Sequence, residues 1–204
     1  MKKILTILAV LIATATVATA QIGARIGMDF ASFRGDWKDD YKSNVGLHLG
    51  VVYNIELADV LSLQPGAFYV QRNWKTDNEF DIKIHSHHIE VPIVLKYNLD
   101  VTSDIKIDPH VGPYFGFGFA GKSKDEVPLW NKKMRVFKDK EEWDMGVANF
   151  DMGIQMGVGA TFYDAAYVGF DFELGFHEFN SPINKANKAH NNMFMITFGV
   201  WLPE

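Results

Sequence analysis

Four residues in the middle of the chain, His85-Ser86-His87-His88, have the side chains that ligate metals or move protons. Residues two apart on an extended segment point the same way. His85 and His87 could therefore clamp a divalent cation, with His190 brought in from another loop as a third ligand. Zinc sites take three or four such ligands. Two histidines and one distant candidate fall short of that. The segment reads as a polar loop-to-strand entrance with solvated imidazoles, and no metal or cofactor is expected.

A second constellation is formal charge set among apolar residues and glycine. Arg25, Arg72, Lys96 and Lys106 accompany Asp29, Glu90, Asp108, Asp151, Asp171 and Glu173 in otherwise water-shy stretches. Such charges either line a proton or ion path or pair with one another, because an unpaired charge in an apolar setting is expensive. Asp81, His85, Ser86 and His177 supply the residue types of a catalytic site as well. No spacing ties them together, and these types are ordinary at loop ends, so no enzyme is expected.

These side chains need elements to position them. In Phe150 to Tyr163, FDMGIQMGVGATFY, every even position is apolar and every odd one is small or polar apart from the closing Tyr163. A period of two is the mark of a strand with two unlike faces. The pattern returns in Ala166 to Phe179, in Ile105 to Lys122 and in Met193 to Leu202. It is less clean in Gln21 to Phe30, Val45 to Asn54, Leu61 to Asn73 and His88 to Asn98. That predicts eight strands and no helix.

The predicted connections alternate in length. Short turns fall at Glu56 to Val60, Asp100 to Asp104 and Asp164-Ala165, and long loops at Ala31 to Ser43, Trp74 to Ile84, Ser123 to Asn149 and Asn180 to His190. In an up-and-down barrel, alternate connections lie at opposite ends, so one end is trimmed and the other elaborated. This is the habit of outer-membrane barrels. Strands of roughly ten residues suit a tilted membrane crossing. A polar face mixing glycine with paired charges suits a cramped lumen, whereas a soluble barrel would turn its apolar face inward. The expected fold is all-β, an eight-stranded antiparallel up-and-down transmembrane β-barrel. Its interior is just wide enough for side chains to fill. The charges are accordingly read as a plug network, and no diffusion pore is expected.

Residues 1–20 lie outside that fold. Lys2-Lys3, the apolar run Ile4 to Ile12 and the small residues of Ala18-Thr19-Ala20 have the layout of a secretory signal peptide, with cleavage expected after Ala20. Residues 21–204 then form one barrel domain. The chain has no cysteine, which excludes a lipid-anchored cysteine and disulfide chemistry, and its net charge of −5 gives no reason to expect nucleic acid.

The order of these pieces resembles a known family, the PorT-like outer-membrane β-barrel proteins of Gram-negative bacteria, loosely labelled the porin family. The resemblance spans essentially all of the chain after residue 20. It is carried by ARIGMDFASF, VGLHLGVVYNIELADVLSLQPGAFYVQR, IEVPIVLKYNL, HVGPYFGFGFAGK, FDMGIQMGVGATF and a closing FGVW. It implies an eight-stranded outer-membrane barrel and, for most members, no defined activity. The founding branch takes part in protein secretion across the outer membrane. One departure is that this chain runs past Trp201 to Leu202-Pro203-Glu204, where outer-membrane barrels commonly end on an aromatic residue.

The most informative loop is Ser123 to Asn149. It mixes Lys124, Lys132, Lys133, Arg135, Lys138 and Lys140 with six acids, interrupted by Trp130, Phe137 and Trp143. Those aromatics could anchor a partner or pack the loop on itself, and the basic side chains could hold lipopolysaccharide phosphates beside the rim. The function expected is a non-enzymatic outer-membrane protein whose long loops serve surface interaction or envelope structure, with outer-membrane lipids and an unknown protein as partners. The rivals are a component of a secretion or transport assembly and a lipid-modifying enzyme acting at the rim.

Overall fold

The computed structural model describes residues 20–35, 41–76, 83–124, 135–137, 144–147, 149–177 and 189–202. The expected signal peptide up to Thr19, the loop residues Trp130 and Trp143, and Asp81 lie outside the described residues, while Ala20 already belongs to the first strand.

Among the described residues eleven strands follow in chain order: β1 (Ala20–Gly35), β2 (Tyr41–Ala58), β3 (Leu61–Thr76), β4 (Lys83–Tyr97), β5 (Leu99–Thr102), β6 (Ile105–Lys124), β7 (Arg135–Phe137), β8 (Asp144–Val147), β9 (Phe150–Phe162), β10 (Ala166–Gly175) and β11 (Ala189–Trp201). Eight of them close a ring of antiparallel neighbours, in the order β1, β2, β3, β4, β6, β9, β10, β11 and back to β1. Closure leaves no open edge in the wall, and hydrocarbon tolerates none, because it offers backbone groups no alternative partner. The fold is thus a closed, all-β barrel of eight antiparallel strands.

Alternation sets the two faces. On β9, Met152, Met156 and Val158 are exposed on the outer wall, and Asp151, Gly153 and Thr161 face the interior. On β10, Phe170 and Phe172 point out while Asp171 and Glu173 are buried. On β2, Leu47, Leu49 and Val51 are exposed around the buried His48. An apolar outside around a polar inside is the membrane-barrel arrangement.

Most barrel strands are longer than the alternation predicts. Apolar alternation reports only the stretch that crosses an apolar layer. The ladder hydrogen bonds continue beyond it, through Tyr41 to Asn44 on β2 and Asn73 to Thr76 on β3, whose registers match residue for residue. Two connections also differ from expectation. The stretch expected as a turn from Asp100 to Asp104 contains most of β5, which pairs with β6, so the turn tightens to Ser103-Asp104. The stretch expected as an open loop from Ser123 to Asn149 carries β7 and β8, which pair parallel with each other, and β7 continues the wall from β6 through Lys122 and Arg135. The third tight turn, after β9, places Tyr163 and Asp164 both at φ 53°. Two successive left-handed residues give the hairpin twist that matches the flanking strands.

Candidate functional site

The interior is layered along the barrel axis. At the long-loop end, Ala31 and Phe33 of β1, Val70 and Trp74 of β3, Ile84 of β4, and Ala189, Met193 and Met195 of β11 form one buried apolar cluster. Phe33 and Trp74 stack with ring centroids 4.9 Å apart. All eight side chains point inward because each sits in phase with the buried positions of its strand.

Beneath that cluster lies Arg72, fully buried. Its guanidinium reaches Glu90 on β4 at 2.6 Å, Asp151 on β9 at 2.7 Å and Glu173 on β10 at 3.5 Å. Tyr114 Oη donates to Asp151 Oδ2 at 3.1 Å, and Asn191 Nδ2 donates to the same oxygen at 3.4 Å. Three carboxyls from three strands thus converge on one cation. Beside this hub, His48 Nδ1 meets Asp29 Oδ1 at 2.5 Å, and the Thr197 hydroxyl lies 3.1 Å from His48 Nε2. Gly27 makes room for that imidazole, since a methyl there would fall on the His48 ring and on the Ile196 carbonyl.

A second network occupies the short-turn end. Lys96 Nζ lies 3.1 Å from Asp108 Oδ1. His110 Nε2 lies 2.6 Å from Asp171 Oδ1, to which Gln155 Nε2 also donates at 2.8 Å. Arg25 is stacked between rings, its guanidinium carbon 3.9 Å from the Tyr167 centroid and 4.2 Å from that of Trp201, and it donates to the Ala24 and Val200 carbonyls. Between the two networks is a cavity of about 40 Å³ bordered by Arg25, His48, Gln64, His110, Gln155 and Glu173. At 10–15 Å³ per water this is room for about three molecules and far less than an open channel.

The charged residues singled out in the sequence fall into this scheme unevenly. Arg25, Asp29, Arg72, Glu90, Lys96, Asp108, Asp151, Asp171 and Glu173 are all buried in the lumen. Lys106 is not. It shares the inward phase of Asp108 but sits at the short-turn rim, where it pairs with the exposed Asp164 at 2.7 Å. Glu173 pairs across the barrel with Arg72 of β3. His48, His110, Tyr114, Gln155 and Thr197 join these networks without carrying a fixed formal charge. Their signal was their inward phase, as with His48 between the exposed Leu47 and Leu49.

The metal candidate does not assemble. His85 and His87 occupy the outer phase of β4, the former 2.8 Å from Asn73 Oδ1 and the latter 2.6 Å from the Tyr69 hydroxyl. His190 is on β11, four strands from β4 in a ring of eight, hence on the opposite wall. Among the described residues no group of three or more His, Asp or Glu could hold an ion. The catalytic candidates are scattered too. Ser86 points into the lumen, 2.9 Å from His88 Nε2, while His85 points outward and His177 sets its ring edge against Phe150. The side chain of Phe137 is outside the described set, so the three proposed loop anchors have no geometry to add.

Residues 14–180 match the family model for the outer membrane protein beta-barrel domain. The chain belongs to that family. An outer-membrane location follows, and with it the contact of the apolar wall with membrane lipid. Among solved structures this barrel is similar to Ail, the attachment invasion locus protein of Yersinia pestis, at 11% identity, covering 90% of this chain and 99% of that one, with a TM-score of 0.47. It is similar to Neisserial surface protein A at 12% identity, covering 90% and 97%, with a TM-score of 0.49. OprG from Pseudomonas aeruginosa matches at 14% identity, covering 92% and 98%, with a TM-score of 0.44. No curated protein matches the chain.

Proposed function

We propose that this is a non-enzymatic outer-membrane protein whose long loops face the cell exterior and engage a partner, with the loop of residues 123–149 as the principal element. The observation behind this reading is the filled lumen. With Phe33 and Trp74 stacked over the Arg72 hub, the interior is packed down to a cavity of about 40 Å³ among the described residues. With an apolar wall around it, the ends of the barrel are what remain for recognition. The loop spans twenty-seven residues from Ser123 to Asn149, far more than joining adjacent strands requires. Trp130, Phe137 and Trp143 supply the large apolar groups on which binding sites depend, and its lysines suit lipopolysaccharide phosphates. Shortening the loop to a four-residue turn is the test. The reading expects intact folding and insertion together with loss of any protein recovered by cross-linking in cells. Retention of every partner would place recognition elsewhere.

The PorT-like resemblance favours a second reading, a component of a secretion or transport assembly. It expects a secretion defect on deletion and co-purifying assembly proteins, and normal secretion by the deletion strain would dismiss it. Either reading includes export by a signal peptide cleaved after Ala20. Intact mass of the membrane-extracted protein checks that cleavage, and a mature form retaining residues 1–20 would refute it.

A further inference from the structure

The Arg72 hub has more carboxyls than one guanidinium can balance. Glu90 on β4, Asp151 on β9 and Glu173 on β10 all reach Arg72, and all four side chains are buried. Register builds the cluster around a glycine, for Gly116 on β6 is opposite Glu90 on one side and Asp151 on the other. A Cβ at Gly116 would lie 3.5 Å from Glu90 Cγ, 3.6 Å from Asp151 Cβ and 3.8 Å from Arg72 Nη2. The missing side chain leaves the middle of that row to the guanidinium. The other ionisable side chains packed on this layer are Asp29 and His48, which pair with each other, Tyr114 and His88.

The whole lumen repeats the imbalance. Among the described residues its buried acids are Asp29, Glu90, Asp108, Asp151, Asp171 and Glu173, and its permanent cations are Arg25, Arg72 and Lys96. His110 adds a fourth positive charge. Its Nε2 lies 2.6 Å from Asp171 Oδ1 and its Nδ1 lies 3.0 Å from the Asp108 carbonyl oxygen. An imidazole that faces an acceptor from each nitrogen donates from both and is a cation. His48, with Nδ1 at 2.5 Å from Asp29 Oδ1, supplies at most a fifth. His88 is counted neutral, since its Nε2 meets the Ser86 hydroxyl and its ring stands near the Arg72 cation. Five cations then meet six acids, and an uncompensated buried charge is expensive.

Glu90 and Glu173 are where the balancing charge fits. Their carboxyls lie within hydrogen-bond reach of each other. An ionised carboxylate only accepts, so a hydrogen bond between two carboxyls needs a proton on one of them. Asp29 and Asp151 surround the pair with further negative charge, and carboxylates that share a site resist ionising together. The neighbouring acids are already served. Asp151 Oδ2 receives hydrogen bonds from Arg72, Tyr114 and Asn191, and Asp29 has the imidazole of His48. Glu90 and Glu173 both border the cavity of about 40 Å³, whose room for about three waters gives a proton on the pair a route of exchange.

We propose that Glu90 and Glu173 form a buried proton-binding site, one proton held between their carboxyls at neutral pH beside Arg72. The site is independent of what the loops bind. The test uses the whole chain after residue 20, refolded in micelles. Its infrared spectrum at neutral pH should contain the carbonyl stretch of a protonated carboxyl, a band that carboxylates lack. The band should vanish in E90Q and in E173Q. Either amide can donate in place of the proton, so each variant keeps the hydrogen bond and the net charge of the pair. Stability supplies a second readout. Unfolded glutamates ionise above about pH 4.3, so the folded wild-type protein holds one proton that the unfolded chain releases. The stability this proton contributes is present at low pH and is lost as pH rises. From about pH 6 to 8 the unfolding constant of the wild-type protein should therefore rise about tenfold per pH unit relative to that of E173Q. A wild-type spectrum without the band would overturn the proposal, as would a band unchanged in both variants or a flat ratio of unfolding constants. Sodium-dependent stability in place of the band would overturn it too, assigning the balancing charge to a bound metal ion.

Discussion

Phe33 on β1 and Trp74 on β3 stack with ring centroids 4.9 Å apart inside the barrel, immediately above the buried guanidinium of Arg72. An apolar layer over a charge-paired layer closes the lumen twice, by different chemistry. Reconstituted in planar bilayers, the protein should show no steady ion conductance. Phe33→Ala with Trp74→Ala should destabilise the barrel, at about 3–5 kcal/mol for each large side chain lost from a packed site. It should still not conduct, because the Arg72 hub remains beneath. A stable unitary conductance in the wild-type protein would contradict the filled-lumen reading.

Arg72 is the cation on which three buried carboxyls converge, so its removal should be costly beyond its size. Arg72→Met leaves Glu90, Asp151 and Glu173 facing one another, and stripping a buried charge of its partner costs about 3–5 kcal/mol. Adding Glu90→Gln and Glu173→Gln to that variant should restore much of the loss. Urea unfolding of the micelle-refolded series measures this. Strictly additive effects among the three substitutions would mean that the hub is not coupled.

How much of this was legible in the sequence follows from what alternation encodes. The fourteen residues from Phe150 to Tyr163 announced a two-faced strand because each lipid-facing position must be apolar and each inward one must fit a crowded interior. Phase thereby placed nine of the ten selected charged residues in the lumen. Phase carries no height, which is why Lys106 was grouped with Asp108 although it ends at the rim beside Asp164. Pairing was illegible for a related reason. Glu173 meets Arg72 because of the stagger between strands on different sides of the barrel, and no single strand's pattern contains that stagger. The outward histidines illustrate the converse, since His85 and His87 share a face as their two-residue spacing implies, but among the described residues no third ligand joins them.

The two faces of β9 can be distinguished by one charge. Ile154 sits on the outer phase opposite Leu174 and Pro113, while Gln155 donates to Asp171 in the lumen at 2.8 Å. Arginine at Ile154 or Met156 should cost about 2–4 kcal/mol near the bilayer midplane. Arginine at Gln155 would bring a cation to Asp171 and should cost less. Unfolding of the reconstituted variants decides, and the reverse order would turn the barrel inside out.

Arg25 closes the short-turn end through shape as much as charge. Its guanidinium lies flat between Tyr167 and Trp201 and donates to two main-chain carbonyls, Ala24 and Val200, at 3.2 Å each. Lysine keeps the positive charge, yet a point charge on a flexible stem cannot stack on two rings and reach both carbonyls together. Stacked cations contribute about 0.5–2 kcal/mol when desolvated. Arg25→Lys should therefore destabilise the barrel by about 1–2 kcal/mol, and Trp201→Phe, which keeps a ring face but drops the indole donor to Thr161 Oγ1, should cost no more. Equilibrium unfolding of both variants and their double mutant gives the coupling directly. If Arg25→Lys is as stable as the wild-type protein, charge alone holds this end closed and the stacking contributes nothing.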